Sequence, residues 1–156
     1  MFKQHHYKAT VKWTGNNGAG TTGYAGYERS HLISITGKPD LAGSSDAPFR
    51  GDISKHNPED LLLASLSSCH MLWYLHLCAD AGVVVVEYVD HAEGILSQNA
   101  DGSGKFTEVT LLPMVTVSSE NMLAKAKELH AKAHSFCFIA ASVNFPLLHK
   151  PQLKVM

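Results

Sequence analysis

The longest apolar run in the chain, Leu61 to Leu75, opens behind Asn57-Pro58-Glu59-Asp60 and runs on to Ala79-Asp80-Ala81-Gly82. Asn57 is a favoured N-cap, and Pro58 suits a first helical position because its missing N–H would be unpaired there anyway. Glu59 and Asp60 put negative charge on the positive end of the helix dipole. No Gly or Pro interrupts the segment before Gly82, which reads as a glycine C-cap, so the pattern predicts a helix over roughly residues 58–80. Its apolar positions go most of the way round the axis, which predicts a helix buried inside the protein. The run is just long enough for a membrane span, but His70, His76 and Asp80, with Ser65, Ser67 and Ser68, argue against one.

Elsewhere the period is two. Tyr7, Ala9, Val11 and Trp13 alternate with Lys8, Thr10 and Lys12, predicting a half-buried strand over 5–13. A glycine-rich turn leads to a second strand, Tyr24 to Ile35, with Tyr27, Arg29, His31, Ile33 and Ile35 on one face. Residues 37–56, with their Gly, Pro, Asp and Ser, read as a long loop. Val83–Leu96 and Phe106–Val117 are β-rich and joined by a polar turn, a predicted hairpin in which Pro113 marks an edge or a bulge. Ser118 or Ser119 caps a second helix through Ala124, Ala126, Leu129 and Ala133, and two short strands around Pro151 close the chain. The order is α+β.

At 156 residues and 45% hydrophobic content the chain reads as one domain, 1–156, able to bury a core. A net charge of −1 leaves no basic stripe for nucleic acid, and the start lacks the charged and apolar regions of a signal peptide, so a cytoplasmic protein is expected. In a reducing compartment three cysteines point to a transient, catalytic disulfide before a structural framework.

Cys69 lies within the first helix and Cys137 at the end of the second, so two distant helices each bring a thiol. A cysteine attacks peroxide as thiolate, and a buried one needs a cation or hydrogen-bond donors to reach that form. Arg29 and Arg50 are the only arginines, and Arg29 has the inward strand face. A buried arginine needs a carboxylate, for which Glu59 is the natural candidate. Glu59 and Cys69 are separated along a straight helix by about 15 Å and turned roughly 80° apart, so a site using both needs a second subunit.

Asn57-Pro58-Glu59-Asp60-Leu61-Leu62, Ser68-Cys69-His70-Met71 and Ala133-His134-Ser135-Phe136-Cys137 together resemble the osmotically induced protein C and organic hydroperoxide resistance (OsmC/Ohr) family, on its OsmC side. The resemblance runs over almost the full chain and departs from the pattern at Phe138, where many members carry proline. It implies an α+β fold in an intertwined homodimer, with β-sheets packed around long central helices. It also implies reduction of organic hydroperoxides, with no cofactor. By position Cys69 resembles the peroxidatic cysteine, Cys137 the resolving one, Glu59 the orienting glutamate and Arg29 the site arginine. The implied reductant is an external thiol such as dihydrolipoamide. Leu66, Met71, Phe136 and Phe138 would wall the site with apolar surface.

Two other classes stay open. His130, His134 and Cys137 fall at i, i+4 and i+7 and with Cys69 could form a metal site. A non-catalytic pocket for an apolar ligand is the third reading. Cys78, about 180° around the helix from Cys69, reads as packing, and His70 as a core or carbonyl-bonding residue.

Overall fold

A computed structural model describes residues 3–156. The chain divides into two compact units, up to Leu61 and from Leu62 onward.

In the first unit β1 (Thr10–Trp13), β2 (His31–Ser34) and β3 (Leu41–Gly43) form an antiparallel sheet in chain order. Both opening strands are shorter than the alternation predicts. Residues 5–9 are not in a strand and Tyr24–Ser30 is irregular, because the backbone of that stretch is taken up by turns such as Gly26 N–H to Gly23 O. The predicted half-burial of the first strand also fails: Tyr7 is 88% and Val11 66% exposed. The long loop carries β3, whose three residues lie between turn formers and give no periodic signal. Gly43 leaves room there for the His31 ring across the register, which a Cβ would approach to 2.2 Å unless the ring moved.

The start of helix α1 (Pro58–Asp80) is fixed locally. The Asn57 side chain accepts from Asp60 N–H at 2.7 Å, and the Asp60 carboxylate accepts from Asn57 N–H at 3.2 Å, a reciprocal cap. At the other end Gly82, at φ +71°, lets Gly82 N–H reach Ala79 O and Val83 N–H reach Cys78 O, so the last carbonyls are satisfied by a Schellman turn.

Three passes of chain in the second unit build two sheets. The strands β4 (Val85–Asp90) and β5 (Glu93–Gln98) form the first pass, β6 (Gly104–Leu111) and β7 (Pro113–Val117) the second, and β8 (Leu147–His149) and β9 (Gln152–Val155) the third. One sheet has the order β4-β7-β9 and the other β5-β6-β8, with the last strand of each parallel to its neighbour. All three passes break at the same level. There the Asp90 carboxylate accepts from Leu112 N–H at 2.7 Å and from the Ser67 hydroxyl of α1 at 2.6 Å. Pro113 is therefore in a central strand, and it is tolerated because it stands first in that strand at the break, where a missing N–H costs no ladder bond.

A short 3-10 turn, Glu120–Met122, precedes α2 (Leu123–Phe136); Ser119 stands at its cap but spends its hydroxyl on Asn121. Leu66 of α1 packs with Val109 and Leu111 of β6. Tyr74, Leu77 and Cys78, further along, pack with Val115 and Val117 of β7 and with Ala126, Leu129 and Ala133 of α2. By length and composition α1 could cross a membrane. Its buried positions, Leu66, His70, Tyr74, Leu77 and Cys78, form a single stripe, however, and Leu72 is 63% exposed. The helix is thus one-sided in this chain, not buried all round: its buried stripe packs against the two sheets, α2 and the segment that follows α2.

Candidate thiol site

Cys69 is half-buried on α1, and Cys137 caps α2 with extended backbone, φ −70° and ψ 108°, its side chain only 1% exposed. The helix ends there because Cys137 leaves the helical region, while its N–H still reaches His134 O at 3.2 Å. The following turn points Ala140 N–H at the Cys137 sulfur, 3.4 Å away. All three cysteines are free thiols. Burial pushes the Cys137 thiol up to about 11, and the Cys69 thiol beside it adds to the effect. The fold therefore brings together the two sulfurs that the sequence singles out.

Aromatic side chains frame the pair. Trp73, one helical turn beyond Cys69, packs its indole against Phe136 at 5.1 Å and Phe138 at 5.7 Å between ring centroids. Leu66 is sealed in the core and Met71 is half-buried. Cys78 is buried against Tyr74, and burial raises its pKa, in keeping with a packing role.

Arg29 and Glu59 belong to the first unit. The guanidinium of Arg29 lies over the rings of Tyr24 and Tyr27, 4.3 and 4.1 Å from their centroids, and donates to the carbonyl oxygens of the same two residues. Among the described residues no carboxylate pairs with it, so the ion pair anticipated for an arginine on an inward strand face is replaced by a tyrosine cage in an irregular segment. Glu59 is half-buried and makes neither a hydrogen bond nor an ion pair among the described residues, because Asp60 performs the capping.

The histidines are arranged differently from the metal-site reading. His130 faces His70, Nδ1 to Nε2 at 3.1 Å, and stacks on Tyr74 at 3.9 Å, while exposed His134 packs edge-on against His149. Among the described residues no three His, Cys, Asp or Glu side chains are placed to hold a metal, so His130, His134, Cys137 and Cys69 do not form that site. The helical spacing is real, but His130 points into the core and Cys137 lies past the helix end, where the periodicity no longer applies. Burial, and then the neighbouring histidines, lower His70 to about 3. Burial, and then His149, lower His130 to about 4. Burial, and then His134, lower His149 to about 4. Sequence reasoning missed this cluster, although His130 lies in the apolar stripe of α2 with Ala126, Leu129 and Ala133.

The family model described as OsmC-like protein matches residues 51–149, a segment that holds Glu59, Cys69 and Cys137. The chain belongs to the OsmC-like family. An OsmC-like protein of unknown function from Vibrio cholerae is 31% identical over 96% of this chain and 100% of its own, with a TM-score of 0.84. The organic hydroperoxide resistance protein OsmC of Legionella pneumophila, 17% identical over 99% of this chain and 100% of its own, has a TM-score of 0.68. That of Bacillus subtilis, 19% identical over 96% and 98%, has a TM-score of 0.61. At those two identities the likeness is one of OsmC-like fold. A search of curated proteins returns no match. Arg29 lies outside the segment that the family model matches.

Proposed function

We propose that this OsmC-like protein is a thiol-dependent peroxidase that reduces organic hydroperoxides through Cys69 and Cys137. The observation that supports it most is the unequal pair of neighbouring sulfurs: one half-buried, the other sealed and held as a thiol at neutral pH. Cys69, the more accessible sulfur, attacks as thiolate on the distal peroxide oxygen. The O–O bond breaks, the alcohol leaves with a proton, and Cys69 becomes a sulfenic acid. The Cys137 sulfur then bonds to Cys69, hydroxide leaves with the thiol proton as water, and an external dithiol reopens the disulfide by exchange. Arg29 is assigned to stabilise the Cys69 thiolate and Glu59 to orient Arg29. A homodimer in the cytoplasm is the assigned state; apolar surface left uncovered in one chain, such as Leu72 of α1 and, in the first unit, Tyr7 and Val11, supports the dimer.

The test is a thiol count before and after one equivalent of cumene hydroperoxide. Loss of two thiols per chain, with a Cys69–Cys137 bridge mapped by mass spectrometry, is expected. Retention of all the thiols would overturn the reading.

A further inference from the structure

Cys137 is flanked by Phe136 and Phe138, and both rings close on Trp73, at 5.1 and 5.7 Å. Phe136 is 44% and Phe138 66% exposed, so neither ring is held by the core. The indole is their common anchor, and it stands one turn along α1 from Cys69, at i+4, on the same side of the helix. With the backbone at Cys137 extended, the residues on either side turn to Trp73 and the sulfur between them turns inward, to 1% exposure. Beyond this clasp, Ile139 and Ala140 pack against the core around Leu66, and the turn itself is held by local hydrogen bonds: Cys137 N–H to His134 O, Ala141 N–H to Cys137 O, Ala140 N–H to the sulfur, and the Ser142 hydroxyl to Phe138 O. Those bonds fix the turn on its own helix. They do not tie it to α1.

We infer that Trp73 is a positioning residue: its clasp on Phe136 and Phe138 holds the α2 terminus against α1 and sets the effective concentration of the Cys137 thiol at Cys69. Disulfides demand a narrow range of Cα separation and torsion, so a small loosening of that terminus lowers the probability of closure far more than it alters either sulfur's reactivity. In the proposed catalytic cycle, on which this part of the inference rests, Trp73 governs the resolving step. A Cys69 sulfenic acid that Cys137 cannot meet survives long enough to react with a second hydroperoxide, giving sulfinic acid and a second alcohol.

The closing experiment reads the clasp without peroxide. The dithiol protein is equilibrated with glutathione and glutathione disulfide, where two protein thiols become one disulfide as one glutathione disulfide becomes two thiols. Trp73→Ala is expected to lower the equilibrium constant for the Cys69–Cys137 bond at least tenfold, and Trp73→Phe, which keeps a ring, to restore it to within threefold. Phe138→Ala removes a mostly exposed ring and is expected to lower it at least threefold in a chain that stays folded. Equal constants for Phe138→Ala and the unaltered protein, or for a folded Trp73→Ala and the unaltered protein, would overturn the inference. A second arm adds cumene hydroperoxide and traps sulfenic acid with dimedone. Labelling that persists at Cys69 in Trp73→Ala but not in the unaltered protein places the defect in resolution. Closure of the bridge in both at the same rate counts against the clasp. No sulfenic acid and no bridge in the unaltered protein overturns the peroxidase reading alone, since the glutathione constants stand without it.

Discussion

The Nε2 atom of His70 and the Nδ1 atom of His130 lie 3.1 Å apart, one ring from each helix, with both side chains almost fully buried. One ring donates and the other accepts as long as at least one of them is neutral. The outer nitrogens, His70 Nδ1 and His130 Nε2, have no hydrogen-bond partner among the described residues. A proton added to either ring is therefore a charge in the core with no acid beside it among the described residues.

Acid destabilisation follows from that arrangement. His70 falls to about 3 and His130 to about 4 in the folded protein, against 6.5 for the ordinary side chain. Between those values the unfolded chain binds more protons, so stability rises with pH across the window and is lost as pH falls below about 6.5. The cost is about 1.4 kcal/mol per pH unit for each histidine kept neutral. Urea midpoints are expected to be flat from pH 8 to 7 and to fall steeply from 6 to 5. His130→Leu should reduce that slope, and an unchanged slope would assign the acid sensitivity elsewhere.

Replacing either thiol separates the proposed steps. Cys69→Ser should abolish consumption of cumene hydroperoxide. Cys137→Ser should consume one equivalent in forming the Cys69 sulfenic acid and a further equivalent for each higher oxidised form, without a bridge. The check is intact mass after a single exposure to peroxide.

Asp90 joins α1 to the break in the sheets through Ser67 and Leu112 N–H. Asp90→Ala leaves that N–H without its acceptor and removes a charge-assisted bond, a loss of about 2–4 kcal/mol. Ser67→Ala removes only the hydroxyl and should cost about 1 kcal/mol. Chemical denaturation of both variants measures the difference.

Gly82 closes α1 at φ +71°, and a Cβ added there meets nothing within 4 Å. Gly82→Ala therefore tests the backbone alone and should cost about 1–2 kcal/mol. A larger loss by thermal or urea unfolding would mean that the turn after Asp80 also rearranges.

Arg29 tests the least local of the assignments. Arg29→Met keeps bulk and an apolar stem over Tyr24 and Tyr27 but removes the charge. Peroxide consumption is expected to fall at least tenfold at pH 7 and to recover in part at pH 9, where a thiolate forms without help. Equal rates at pH 7 would remove Arg29 from the chemistry.

What the sequence discloses here is mainly what short stretches of chain decide for themselves. The start of α1 is legible because Asn57 and Asp60 cap each other three residues apart, and its end because Gly82 supplies a positive φ. The pairing of the 85–98 and 104–117 passes follows from their alternation and the polar turn between them. Cys69 and Cys137 were legible through their surroundings in sequence, and the fold puts them side by side. The one-sided burial of α1 was not legible, because an apolar run does not say which of its faces a single chain covers. Nor was the cage around Arg29, which depends on a loop folding Tyr24 and Tyr27 back over the guanidinium. The histidine cluster gathers residues from α1, α2 and β8, and such convergence has no period to read.

The level break through the three passes has a consequence for how the second unit assembles. Each half-sheet takes its outer parallel strand from the same final stretch of chain: Leu147 against Val109 in one, Leu153 against Val115 in the other. Until that tail docks, β6 and β7 each present a bare hydrogen-bonding edge able to accept a foreign strand. The last few residues thus act as a shared latch, and a chain clipped before Leu147 would expose two adhesive borders at once.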